Sequence, residues 1–95
     1  MRYLRVRWIH QLVDDPVFLF SEIGDDGLER RKIDEYADGR RDIASSDGGR
    51  GSTFLSDEPI PSLDTINADP QFIAEEIAAS EFERVWAEAS QLFDT

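Results

Sequence analysis

Arg2-Tyr3-Leu4-Arg5-Val6-Arg7-Trp8-Ile9 alternates: Leu4, Val6 and Trp8 point one way while Arg5 and Arg7 point the other. A period of two marks a strand, and the rest of the chain reads as partners for it or as cover for its apolar side. His10 to Pro16 is a loop, because paired aspartates form turns and Pro16 lacks a backbone donor. Val17 to Ile23 is a second strand, apolar at Val17-Phe18-Leu19-Phe20. Such a run belongs near the middle of a sheet covered on both sides, or has one face covered by the later segment. Gly24-Asp25-Asp26-Gly27 connects to a third strand, Leu28 to Ala37, and Asp38-Gly39 to a short fourth, Arg40 to Ala44. The fold class is therefore α+β, a four-stranded antiparallel meander with a C-terminal α-helix packed on one face.

That helix is read from Phe82, Val85, Trp86, Ala89 and Phe93, at helical spacing, with Ser80 and Glu83 as a capping box at its start. Trp86 is expected to bury against Leu19 or Trp8. Between sheet and helix, residues 45–53 read as a flexible Gly/Ser loop, and Glu58-Pro59-Ile60-Pro61 as extended chain. Ser62 caps a short helical turn through Ile66, and Asp69-Pro70 is expected to open another helix. The 95 residues make a single domain, 1–95, with a sheet over 2–45, the loop over 45–53, and an irregular acidic segment with helices over 54–93.

The net charge of −11 is unevenly distributed: +3 over residues 1–13, −5 over 14–50 and −9 over 51–95. Most of this surface repels nucleic acid and attracts a basic partner. The absence of cysteine excludes a disulfide framework and a thiolate metal site. No apolar run approaches the length of a membrane span, and a cytoplasmic location is expected.

Little catalytic chemistry is legible. His10 with Asp14 and Asp15 is the one His-plus-carboxylate grouping, and it lacks a nucleophile in a recognisable context. Asp14, Asp15, Asp25 and Asp26 have no calcium-loop spacing, and Gly48-Gly49-Arg50-Gly51-Ser52 lacks the lysine and helix of a phosphate loop. Arg5, Arg7 and Trp8 with Arg30, Arg31 and Lys32 resemble a single-stranded nucleic-acid face, but twenty-one acids outweigh them. Cross-strand pairing with Glu22, Glu29, Asp34 or Glu35 is the simpler expectation. No catalytic residue, metal or cofactor is expected. The candidate partner-binding residues are Asp57, Glu58, Asp64, Asp69, Glu75 and Glu76, with Phe54 as an apolar anchor.

Tyr3 to His10, Asp15-Pro16-Val17, Glu29 to Ile33, Asp38-Gly39-Arg40, Pro59-Ile60-Pro61 and Glu81 to Trp86 together resemble a small bacterial domain family of unknown function, over nearly the whole chain. The resemblance carries over no catalytic residues, and Ala78 stands where a polar helix cap is expected. By analogy with small acidic bacterial proteins, it implies an immunity-type inhibitor that docks on a basic toxin such as a nuclease. Two other readings stay open: a small hydrolase or metal-assisted enzyme using His10, Asp14 and Asp15, and a nucleic-acid mimic that blocks a DNA-binding protein.

Overall fold

The structure, a computed structural model, describes residues 1–46, 48–51 and 53–91. The described chain runs β1 (Arg2–Trp8), β2 (Phe18–Ile23), β3 (Glu29–Glu35), β4 (Arg41–Ser45), β5 (Gly48–Arg50), α1 (Leu63–Asn67), β6 (Phe72–Glu76) and α2 (Ala79–Gln91). The strands form one sheet in the order β5-β4-β3-β2-β1-β6, every neighbouring pair antiparallel. The meander of the first four strands and the terminal helix are as expected. The sheet is wider, with six strands among the described residues instead of four.

The fifth strand lies where a flexible loop was expected. Gly48 and Gly49 pair with Ser45 and Ala44, and Gly49 and Gly51 answer to close approach more than to freedom. A β-carbon on Gly49 would press on the Thr53 carbonyl at 2.9 Å, and one on Gly51, at φ +87°, would overlap the Asp42 carboxylate. Asp47 and Ser52, also assigned to that loop, lie outside the described residues.

The sixth strand replaces the helix expected after Asp69-Pro70. Asp69 closes a turn instead: its carboxylate accepts the Gln71 N–H at 2.9 Å and its carbonyl accepts the Phe72 N–H at 3.0 Å. The chain then pairs along the open edge of β1, where Phe72 stacks on Trp8 at 6.0 Å and Glu75 forms an ion pair with Arg5. The outer edge of β6 is in turn blocked by Asn67, whose side-chain amide accepts the Ala74 N–H at 2.6 Å and donates to its carbonyl at 3.0 Å. Paired edges of this kind resist adventitious strand addition.

Ser62 caps α1 as expected, accepting the Thr65 N–H at 3.2 Å. In α2 the cap lies two residues earlier than the expected capping box, at Ala78. Glu81 and Phe82 donate to the Ala78 carbonyl, so Ser80 sits inside the first turn. Phe82, Val85 and Ala89 are its buried residues; Phe93 lies outside the described residues.

The register separates two faces. Tyr3, Phe18, Phe20, Ile33 and Ile43 share the face on which α2 lies, and they form the core with Phe82, Val85 and Ala89. Leu4, Val6, Trp8, Leu19 and Ser21 share the opposite face. The helix therefore covers the side of β1 that carries Arg5, not the side that carries Trp8, and the expected contact of Trp86 with Leu19 or Trp8 is not made. Trp86 is half-buried and stacks on Phe82, whose ring is fully enclosed. Both faces carry apolar residues, so alternation alone does not say which one the helix takes.

Candidate functional site

On the helix-covered face Arg5, Arg31 and Arg41 are consumed internally, while Arg7 stands exposed with no ion pair among the described residues. Arg31 makes a two-pronged pair with Glu22 across the β2–β3 ladder, both bonds at 2.8 Å, and reaches Glu83 on α2. Its guanidinium lies 5.0 Å from the centres of the Phe82 and Trp86 rings. Hydrogen bonding from Arg31 outweighs burial and holds Glu22 below the usual carboxylate range. Arg41 joins Glu35 to Glu88, and Arg5 joins Glu75 to Glu81. Arg30 pairs with Asp26, and Arg84 with Glu88. The suggested basic and aromatic face therefore does not form: Trp8 and Lys32 lie on the other side of the sheet from Arg5 and Arg31, by register.

The opposite face is covered by residues 53–71, a stretch with only five residues of helix. So short a cover leaves a cleft of about 390 Å³. Its apolar walls are Val6 and Leu19 from the sheet, Ile60 and Ile66 from the cover, and Phe72 from β6. Its polar groups are Ser21, Glu29, Lys32 and, from the cover, Ser56, Thr65 and Asp69. Glu29 is buried and satisfied at both oxygens, by the Ser21 hydroxyl at 2.7 Å and the Ser56 N–H at 2.8 Å. It ties the cover to the sheet. A register shift between Glu22 and Ile23 brings Glu29 opposite Ile23.

Beside the cleft two more carboxylates are buried. Asp34 and Asp42 face each other across the β3–β4 ladder. Asp42 accepts the Tyr36 hydroxyl at 3.0 Å. Asp34 Oδ1 and the neighbouring Thr53 hydroxyl close no hydrogen bond of good geometry, and the Lys32 ammonium is 3.8 Å from Asp34. Burial, with the charges of Asp42 and Glu29, raises the Asp34 carboxyl above its ordinary value of 3.8. Above that ordinary value the folded protein holds a proton that the unfolded chain has released, so this group's contribution to stability falls as pH rises through the window up to the raised value. Asp34→Asn is expected to raise Tm at neutral pH by a few degrees, and the gain should vanish when both forms are measured below the ordinary carboxylate range. An equal gain at both pH values would mean that the charge is not its source.

His10 is absorbed by its loop. Its Nδ1 accepts the Leu12 N–H at 2.9 Å, so Nε2 carries the proton and donates to the Pro16 carbonyl at 2.7 Å. Neither ring nitrogen is directed to Asp14 or Asp15. Among the described residues, no three His, Cys, Asp or Glu side chains converge as a metal site would require, and no helix is long and apolar enough to cross a membrane.

The expected partner-binding residues divide between two places. Asp57, Glu58, Asp64 and Asp69 are exposed on the cover segment, and Phe54 near its start is 77% exposed. Glu76 is exposed on β6. Glu75, also exposed on β6, points to the helix-covered face and is ion-paired with Arg5. The cleft residues Ser21, Glu29 and Lys32 were not read from sequence as one site. Their signal was present in the alternation of β3, where Lys32 and Asp34 fall opposite the side of Arg31, Ile33 and Glu35.

Residues 2–91 match the family described as Domain of unknown function (DUF6881), and the chain belongs to it. This agrees with the resemblance carried by its first and last strand and helix segments. No curated protein and no solved structure matches the chain.

Proposed function

We propose that this member of the DUF6881 family is a non-enzymatic protein-binding module that docks on a basic protein through its acidic cover segment, acting in the cytoplasm as an immunity-type inhibitor of a basic toxin. One observation carries the reading. Among the described residues, Arg5, Arg30, Arg31, Arg41 and Arg84 are held in ion pairs, whereas Asp57, Glu58 and Asp64 stand exposed with no ion pair on the cover segment, residues 53–71, which carries exposed Phe54 and no base. Unpaired surface charge of one sign accelerates encounter with an oppositely charged partner. A protein inhibitor of a nuclease has to meet the basic groove that holds the phosphates, and an acidic face supplies that complement.

The test is capture from the cell's own lysate at low and high salt, followed by binding kinetics with the captured protein. Wild type is expected to retain a basic protein, with an on-rate that falls about tenfold or more as salt rises and an off-rate that changes less. Asp57→Lys/Glu58→Lys/Asp64→Lys should lose the fast association while keeping the wild-type Tm, since exposed carboxylates contribute little to stability. An on-rate indifferent to salt, or unaltered binding by the triple variant, would overturn the reading.

A further inference from the structure

The cleft on the face opposite α2 is unused by the docking just proposed, and its chemistry is specific enough to name what enters it. We propose that the cleft receives an apolar side chain from a segment of the basic partner, with lysines or arginines on either side of that side chain meeting the acidic cover. This inference rests on the acidic docking reading and adds to it the kind of sequence the partner presents.

The volume of about 390 Å³ lies at the lower end of the range for small-ligand pockets, roughly 300–1,000 Å³. Val6, Leu19, Ile60, Ile66 and Phe72 offer it an apolar lining, which favours a hydrophobic anchor. Of the polar groups, Glu29 has both oxygens satisfied and makes no demand on a ligand. Lys32 differs. Among the described residues, its ion-pair partner Asp34 stands at 3.8 Å, outside hydrogen-bond reach, so its ammonium retains donors for a backbone carbonyl of an entering segment.

The charge around the opening selects among occupants. Asp69 lines the cleft and is exposed, and Asp64 lies on α1, the same short helix that contributes Thr65 and Ile66 to the lining. An anionic ligand is therefore disfavoured at the mouth. A second copy of this chain, at −11, is repelled as well. A segment with one large apolar side chain between cationic ones satisfies the lining and the mouth together.

The experiment uses the full chain labelled with ¹⁵N and three synthetic peptides at low salt: Lys-Lys-Phe-Lys-Lys, Lys-Lys-Gly-Lys-Lys and Glu-Glu-Phe-Glu-Glu. The first is expected to shift the amides of Ser21, Lys32 and Phe72 and to bind about tenfold more tightly than the second. The second should shift only amides of the cover segment, and the third should not bind. Thr65→Trp, which fills the cleft from an exposed position, should bring the first peptide down to the affinity of the second while leaving the second unchanged. Equal binding by the first two peptides, with the cleft amides unmoved, would overturn the cleft assignment and leave acidic docking standing. Failure of both basic peptides to bind would overturn acidic docking itself. Binding of the acidic peptide at the affinity of the first would show that the mouth does not select by charge, which also overturns the proposal.

Discussion

Phe82→Ala is expected to cost about 3–5 kcal/mol of folding stability, read from urea denaturation as a lower midpoint at unchanged slope. Phe82 has no exposed surface and lies in the core with Phe20, Ile33 and Ile43 from three strands, with the Tyr3 ring 5.2 Å away on a fourth. No neighbour on α2 replaces it: Ala89 is small and Trp86 is half-buried. A chain of this length has about 5–15 kcal/mol in total, so the variant should sit near the edge of cooperative folding. Trp86→Ala is expected to cost less, because the indole is only partly buried. The sequence pointed to Trp86 as the main anchor, and a larger loss at Trp86 than at Phe82 would show that the packing described for α2 is wrong.

The second large effect belongs to a polar contact. Arg31→Ala should cost about 3–5 kcal/mol, because it leaves Glu22 buried without its cationic partner, with only the Tyr3 hydroxyl beside it, and removes the cation from the Phe82 and Trp86 rings. The pH dependence identifies the cause. In the wild type the Glu22 carboxyl is held below its ordinary value of 4.5, so the stability it contributes is present above that value and is lost as pH falls through the lowered one. In Arg31→Ala the burial of Glu22 is uncompensated and its carboxyl should rise instead. Acidification should then narrow the gap between variant and wild type. Arg31→Met/Glu22→Leu should recover most of the loss, since replacing both partners removes the unpaired charge and fills the volume. A loss in Arg31→Ala that is constant with pH and not recovered by the double change would assign the effect to packing alone.

How far the candidate site was readable follows from the same distinction. The exposed carboxylates Asp57, Glu58, Asp64 and Asp69 were visible as a run of acids without nearby bases, because net charge sums along the chain. Glu75 read as one of them, but its ion pair was not legible: its partner Arg5 is seventy positions away and reaches it only when β6 pairs with β1. Ser21, Glu29 and Lys32 were hidden for a similar reason. Each is an ordinary polar residue in its own strand, and only the arrival of the cover segment makes them the polar groups of an otherwise apolar cleft.

What the sequence by itself determined is whatever a few consecutive residues decide among themselves. The alternation Leu4-Arg5-Val6-Arg7-Trp8, the hairpins at Gly24 to Gly27 and at Asp38-Gly39, the Ser62 cap and the stripe Phe82-Val85-Ala89 are all short-range, and all stand as read. Only the tertiary structure decided which side of the sheet α2 covers, because both sides of β1 and β2 carry apolar residues and the choice depends on the summed fit of four strands. It also decided that Phe72–Glu76 is a strand, since an open edge on β1 offers backbone partners that outweigh the local preference of Asp69-Pro70 for a helix start. Gly48–Arg50 was decided likewise by its neighbours: the Thr53 carbonyl presses so close that only glycine fits at Gly49, and a segment that reads as free becomes the sheet's other edge.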